Sequence, residues 1–149
     1  MQFADGNMGW KKELKDSCDF ADFWDPEIET DHEIEAKITA LKHADNPMLK
    51  ISPLYREMLN GIVTKDLNAV KSCDALVVRW SAGVLKGAGA KSEMSIAAHY
   101  NIPVIAIITL DEMYKLDIPL WCVGCITHFA IDAKEAAKKL LEIQERLTI

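Results

Sequence analysis

The chain has 149 residues, half of them hydrophobic and 27% charged, a length and composition typical of one globular domain with a sizeable core. Its 17 basic and 23 acidic side chains give a net charge of −6, and the sequence has no long basic stripe. We therefore expect that the chain does not bind a nucleic-acid polymer, whose phosphates attract basic surfaces. No apolar run approaches the ~20 residues of a membrane span, and the start does not resemble a signal peptide. We therefore expect a single cytoplasmic domain over 1–149 that binds no membrane.

Apolar periodicity predicts that strands and helices alternate along the chain. We expect, in chain order, strand 1–5, helix 10–17, strand 19–24, helices 33–42, 53–59 and 62–70, strand 75–80, helix 90–100, strands 103–110 and 127–131, and helix 133–147. Such alternation is typical of a parallel sheet between layers of helices. The expected fold is therefore α/β, a single domain with a doubly wound, Rossmann- or flavodoxin-like parallel sheet of five strands and helices on both faces.

The strongest functional candidate is Glu93, which stands early in the expected helix 90–100. A glycine-rich loop at 81–89 precedes that helix, and the expected strand 75–80 precedes the loop. Open α/β sheets bind ligands at the carboxyl ends of their strands, and a helix N-terminus favours an ionised carboxylate. The alternative is an exposed glutamate that only complements the helix dipole.

Two blocks of sequence carry a family resemblance. The first is Asn60-Gly-Ile-Val-Thr-Lys-Asp66 followed by Cys73-Asp-Ala-Leu-Val-Val, and the second is Gly89-Ala-Lys-Ser-Glu93-Met-Ser-Ile-Ala97 followed by Ile102-Pro-Val. Together they resemble the nucleoside 2-deoxyribosyltransferase family. The opening Phe3-Ala-Asp-Gly-Asn-Met, with Trp10 beyond it, is similar to that family's first strand and base-contacting loop. The resemblance spans nearly the whole chain and is weak over 27–60.

The resemblance implies an enzyme that acts on the N-glycosidic bond of a (deoxy)nucleoside, with no cofactor and no metal. Glu93 would be the nucleophile that traps C1′ as a glycosyl-enzyme ester. Asp66 would be the acid that protonates the leaving base, and its alternative is a first-turn helix aspartate that complements the dipole. Entry of an acceptor base then gives transfer, and entry of water gives hydrolysis.

The loop before Glu93 departs from the family pattern. Lys86 and Gly87 stand where the family usually has an aspartate aimed at the base. With Gly83, Gly89 and Lys91 they form a glycine- and lysine-containing segment before a helix, which suits a phosphate. Hydrolases of nucleoside 5′-monophosphates belong to the same superfamily, so a nucleotide substrate is the second expectation. The alternative is that both lysines are solvated loop charges.

Further substrate contacts are expected from the amino-terminal loop and from tryptophans. These candidates are Gly6, Asn7, Met8, Trp10, Trp24, Trp80 and Trp121. A base can stack on an aromatic face, while core packing is the alternative for Trp24 and Trp80. Family sites are usually completed by a neighbouring subunit, here from 117–124, so we expect a homo-oligomer with shared active sites. Pro119 replaces an asparagine expected there, and Trp121 either closes over the ligand or is an interface aromatic.

Two other classes of function compete with the enzyme. The first is a non-catalytic nucleotide-binding module on the same fold. The second is a thiol oxidoreductase that uses Cys122 and Cys125 of Trp121-Cys-Val-Gly-Cys. The late position of that motif, before an expected strand, argues against the oxidoreductase.

Overall fold

The computed structural model describes residues 9–25, 32–81, 84, 88–115 and 117–147. They divide into two compact units. The first comprises the described residues within Met1–Phe23 and Val70–Ile149, and the second is formed by those within Trp24–Ala69. The predicted strand 1–5 lies outside the described residues.

The helices of the structure are numbered in chain order. They are α1 (Gly9–Ser17), α2 (His32–Lys42), α3 (Pro53–Ser72), α4 (Gly89–His99), α5 (Leu110–Lys115), α6 (Leu120–Cys125) and α7 (Ala133–Leu147), with a 3-10 helix at Pro47–Ile51 between α2 and α3. The strands are β1 (Leu76–Arg79), β2 (Val104–Ile107) and β3 (His128–Ala130).

The first unit contains a parallel sheet with the strand order β1-β2-β3. Leu76 pairs with Val104, and Ile105 pairs with His128. All four residues of β2 are buried, because the strand lies in the centre of the sheet and helices cover both of its faces.

Helices cover the two faces with separate apolar cores. On one face, which we call the α4-side core, sheet residues pack with α4 and α6; its main members are Val78, Trp80, Val84, Ala90, Met94, Ala97, Val104, Ala106, Ile108, Cys122 and Cys125. On the other face, the α7-side core joins the sheet to α1 and α7 through Leu14, Cys18, Ile105, Ile107, Ala130, Ala133, Ala136, Ala137, Leu140 and Ile143. Alternate residues of β2 therefore point to opposite cores, as strand geometry requires.

The prediction of a five-stranded, doubly wound sheet is wrong for the described residues, where the parallel sheet has three strands. Residues 19–24 form a turn and irregular chain. There Phe20 and Phe23 pack against the α7-side core, so their burial needs no strand. The described strand order also advances in one direction only. It therefore contains no reversal of strand order, which is the feature that creates the ligand crevice of doubly wound sheets.

The second unit consists mainly of α2, the 3-10 helix and most of α3. The sequence predicts two helices at 53–59 and 62–70, but one helix runs through Gly61 to Ser72. A side chain at Gly61 would meet nothing within 4 Å, so close packing does not require this glycine. Glycine costs a helix interior about 1 kcal/mol relative to alanine, which the remaining nineteen positions of this 20-residue helix outweigh.

A search for membrane spans among the described residues finds no helix that is both long and apolar enough to cross a bilayer.

Candidate functional site

Glu93 lies on the buried face of α4. This helix begins at Gly89, ten residues after β1 ends, so its N-terminus follows the carboxyl end of the first strand. Ala90, Glu93, Met94 and Ala97 recur at helical spacing and are all buried. Glu93 retains only 6% of its exposure, so the alternative of an exposed helix glutamate is wrong.

A carboxylate on an apolar helix face is energetically expensive. Burying an ionised side chain costs several kcal/mol unless its partners compensate. Glu93 stands one turn into α4, where the helix dipole has largely decayed and contributes little. The local fold therefore holds Glu93 at a position that core packing alone would fill with an apolar residue.

Two further buried polar groups lie at the carboxyl end of β1. Trp80 is fully buried in the α4-side core, and its indole Nε1 has no hydrogen-bond partner among the described residues. Ser81 is 6% exposed, and its hydroxyl accepts a hydrogen bond from the Val84 amide at 3.4 Å. We call Trp80, Ser81 and Glu93 the β1-edge residues.

The carboxyl end of β2 carries a different polar arrangement. The Thr109 amide donates to Glu112 Oε2 at 3.2 Å, and the Glu112 amide donates to Thr109 Oγ1 at 3.2 Å, which is a reciprocal capping box at the start of α5. Arg79 at the end of β1 donates to the same carboxylate through Nη1 at 2.5 Å and Nη2 at 2.6 Å. We call Arg79, Thr109 and Glu112 the β2-edge residues.

The Arg79 pair sets the electrostatics of the β2-edge residues. Its hydrogen bonds to Glu112 lower the pKa of that carboxyl, against a smaller opposing effect of burial. Arg79 Nη1 also donates to the Trp80 carbonyl and, at 3.5 Å, to the Ile107 carbonyl, so the guanidinium joins the ends of β1 and β2 to α5. Sequence reasoning missed these residues. The Thr109-x-x-Glu112 spacing is a readable capping signal, whereas Arg79 is 33 residues away from its partner.

Asp66 lies in the second unit, on α3. That helix begins at Pro53, so the alternative of a first-turn aspartate is wrong. Burial raises the pKa of Asp66, and the nearby charge of Lys65 opposes this effect. The protonated form of this carboxyl is therefore favoured to a higher pH than usual, as a general acid requires.

The structure places the predicted tryptophans in three different environments. Trp80 is in the core, so neither ring face is open to a base. Trp10 packs against the α7-side core, which lies across the sheet from α4. Trp121 is 74% exposed, and its Nε1 donates to Ser95 Oγ on α4 at 2.8 Å. Trp24 is 41% exposed and belongs to the second unit.

Several predicted binding residues lie outside the described residues, namely Gly6, Asn7, Met8, Gly83, Lys86 and Gly87. Gly89 is the first residue of α4, and a Cβ there would meet nothing within 4 Å. No close approach of neighbouring atoms therefore requires glycine at this position.

The cysteines are free thiols, and Cys122 and Cys125 are buried one turn apart on α6. Burial raises the pKa of the Cys122 thiol more than nearby Lys91 lowers it. A raised thiol pKa reduces the thiolate fraction, which argues against a redox role. A search of the described residues finds no group of three histidine, cysteine or acidic side chains that could hold a metal ion.

Comparison with known proteins identifies no matching family model, curated protein or solved structure. The resemblance to nucleoside 2-deoxyribosyltransferases therefore stays a prediction from sequence.

Proposed function

We propose that the chain is an enzyme that cleaves or transfers at the N-glycosidic bond of a (deoxy)nucleoside, with Glu93 as its nucleophile. The observation that carries the proposal is the burial of this carboxylate, 6% exposed, on a helix face otherwise formed by Ala90, Met94 and Ala97. Ionisable side chains buried among apolar neighbours occur at functional sites more often than elsewhere.

The proposed reaction has two displacement steps. In the first, a Glu93 carboxylate oxygen bonds to C1′ while the C1′–N bond breaks, and its electron pair leaves with the base. In the second, an acceptor base or water attacks C1′, and the ester oxygen returns to Glu93 as carboxylate. The attacking group loses its proton in the second step. Transfer and hydrolysis therefore differ only in which molecule enters.

Asp66 is the proposed acid of the first step. A nucleobase is a poor leaving group unless it receives a proton as the bond breaks. The raised pKa of Asp66, which burial causes, supports this role because the carboxyl holds its proton closer to neutral pH. In the second step the resulting carboxylate can accept the proton of the entering acceptor.

The site is proposed to be active in a cytoplasmic homo-oligomer, a dimer or a higher assembly with shared active sites. The support for an assembly is a run of exposed apolar side chains after β2: Leu110, Tyr114, Leu120 and Trp121 are 59%, 91%, 88% and 74% exposed. Free cysteines suit a reducing compartment. Light scattering of the purified chain tests the assembly, and a monomer at micromolar concentration would contradict it.

The activity is tested by incubating the chain with a panel of deoxynucleosides and their 5′-monophosphates and following free base by chromatography. Glu93→Gln keeps the shape of the side chain and should reduce base release roughly a thousandfold or more. Glu142→Gln changes an exposed carboxylate on α7 and is the matched control, with unchanged activity. Mass spectrometry of the quenched reaction should locate a deoxyribosyl ester on the peptide that contains Glu93.

The same panel separates the competing functions. Release from 5′-monophosphates alone would identify the nucleotide hydrolase of the second expectation. Binding of a nucleotide without any release would identify a non-catalytic module. Base release that persists in Glu93→Gln would remove Glu93 from the mechanism.

A further inference from the structure

The indole N–H of Trp80 is a buried donor without a partner among the described residues. Leaving such a donor unsatisfied costs about 1–3 kcal/mol, and unsatisfied groups are rare in folded proteins. Phenylalanine would fill an apolar core position without this cost. The donor therefore requires an explanation beyond packing.

The position of Trp80 connects it with the proposed nucleophile. Its backbone amide donates to the Ile107 carbonyl at 2.9 Å, which holds the residue at the carboxyl end of the sheet. Its ring belongs to the same core as Ala90 and Met94, the buried neighbours of Glu93 on α4. Trp80 and Glu93 thus lie on one side of the sheet, at the end where α4 begins.

We propose that the Trp80 indole N–H donates a hydrogen bond to the nucleobase acceptor that adjoins the glycosidic bond, and so helps to determine which substrates react. This inference rests on the proposed function of Glu93. Purines present N3 at that position and pyrimidines present O2, and both atoms are hydrogen-bond acceptors. One fixed donor therefore serves both classes of base.

The same hydrogen bond has a consequence for the rate. As the C1′–N bond breaks, negative charge develops on the leaving base and spreads to N3 or O2. A donor already fixed in an apolar environment stabilises that charge with little reorganisation. Because the ring is fully buried, stacking is not its role, and the ligand must displace part of the apolar cover to reach Nε1.

The experiment compares how tightly two analogues of deoxyadenosine bind a chain that retains Trp80. The 3-deaza analogue lacks the N3 acceptor, whereas the 7-deaza analogue keeps it. Affinities are measured by calorimetry in the Glu93→Gln background, so that turnover does not interfere. We expect the 3-deaza analogue to bind about tenfold more weakly than the 7-deaza analogue, the effect of one lost hydrogen bond.

Trp80→Phe in the same background removes the donor and should abolish that discrimination. Ile108→Val is the control, because it alters the packing of the same core without removing a hydrogen-bond donor. Equal binding of both analogues by the Glu93→Gln chain that retains Trp80, or discrimination that survives Trp80→Phe, overturns the inference and leaves the role of Glu93 intact. Discrimination that depends on Trp80 in a chain that releases no base retains the inference as a binding contact and rejects the catalytic proposal.

Discussion

The polar groups at the carboxyl ends of the adjacent strands β1 and β2 differ in their hydrogen bonding. The β2-edge residues satisfy one another. The backbone amides of Thr109 and Glu112 each donate to the other residue's side chain, and Arg79 donates to both oxygens of the Glu112 carboxylate. The β1-edge residues include a fully buried indole N–H without a partner among the described residues and a carboxylate buried on an apolar helix face. The network at β2 is closed and stabilises the fold, whereas the Trp80 indole N–H at the neighbouring edge is left without a partner among the described residues.

This difference favours the β1-edge residues over the β2-edge residues as the candidate site. The most conspicuous ion pair of this edge, between Arg79 and Glu112, has all its strong interactions inside the protein. Beside it, the Trp80 indole N–H has no hydrogen-bond partner among the described residues. Position at a strand end alone therefore does not identify a site. The two edges differ in whether all of their buried polar groups have hydrogen-bond partners among the described residues.

After the loss expected of Glu93→Gln, the largest expected effect concerns Asp66, the proposed acid. Asp66→Asn keeps the shape of the side chain and removes its titration, so base release should fall by roughly a hundredfold or more. The loss should be greatest for bases that leave poorly without a proton. Steady-state rates as a function of pH are the measurement, and the variant should lose the limb of the profile on which an acid must be protonated.

Asp66 also has an effect on stability whose sign follows from its raised pKa. The folded state disfavours the ionised form, so the cost to stability is present at neutral pH and disappears below the unfolded carboxyl pKa of about 4. Asp66→Asn should raise the midpoint of thermal unfolding at pH 7 and leave it unchanged near pH 3. Asp74→Asn, at an exposed aspartate, is the control; an equal gain there would contradict the argument.

The next prediction concerns a substitution that breaks the hydrogen-bond network of the β2-edge residues. Glu112→Gln removes the ion pair with Arg79 and its two short hydrogen bonds. Because both side chains are about three-quarters buried, the substitution should lower the free energy of unfolding by about 2 kcal/mol. Urea titration measures the change. Asp111→Asn on the same helix removes an exposed ion pair with Lys115 and should cost about 0.5 kcal/mol or less.

The pH dependence of this loss has the opposite sign to that of Asp66. Arg79 lowers the pKa of Glu112 in the folded state, so the stabilisation is full above the unfolded carboxyl pKa and is lost as the pH falls through the folded pKa. The difference between the unmodified chain and Glu112→Gln should therefore shrink below pH 4. Catalytic activity of folded Glu112→Gln should change little, and a loss comparable to that of Glu93→Gln would make the two edges functionally equivalent.

The smallest effect concerns the contact between α6 and the helix of Glu93. Trp121→Phe and Ser95→Ala each remove the hydrogen bond between Trp121 Nε1 and Ser95 Oγ, and each should cost about 0.5–1 kcal/mol. The double variant should cost little more than either single one, because both remove the same bond. Additive losses would show that the bond contributes nothing to stability.

Much of the secondary structure was readable from local pattern. The expected helices 10–17, 33–42 and 133–147 agree within one residue with α1, α2 and α7. Apolar spacing marks the buried face of α1 and α7, whereas α2 is a charged helix in which Leu41 is the buried residue. The expected strand 103–110 extends three residues beyond β2, which ends at Ile107. The Thr109 cap begins a new helix at Leu110 within the same apolar run, and that six-residue helix is too short for periodicity to detect.

The sequence by itself predicted the three strands and the two long helices α4 and α7 in the second half of the chain, because apolar periodicity is a local property. It missed the short helices α5 and α6. It also singled out Glu93 by its type and position. Tertiary structure alone decided that 19–24 packs without forming a strand, that Arg79 closes on Glu112, and that Trp80 and Glu93 are buried at one edge. Such facts depend on partners distant in sequence and on the balance of burial against hydrogen bonding, which no local pattern contains.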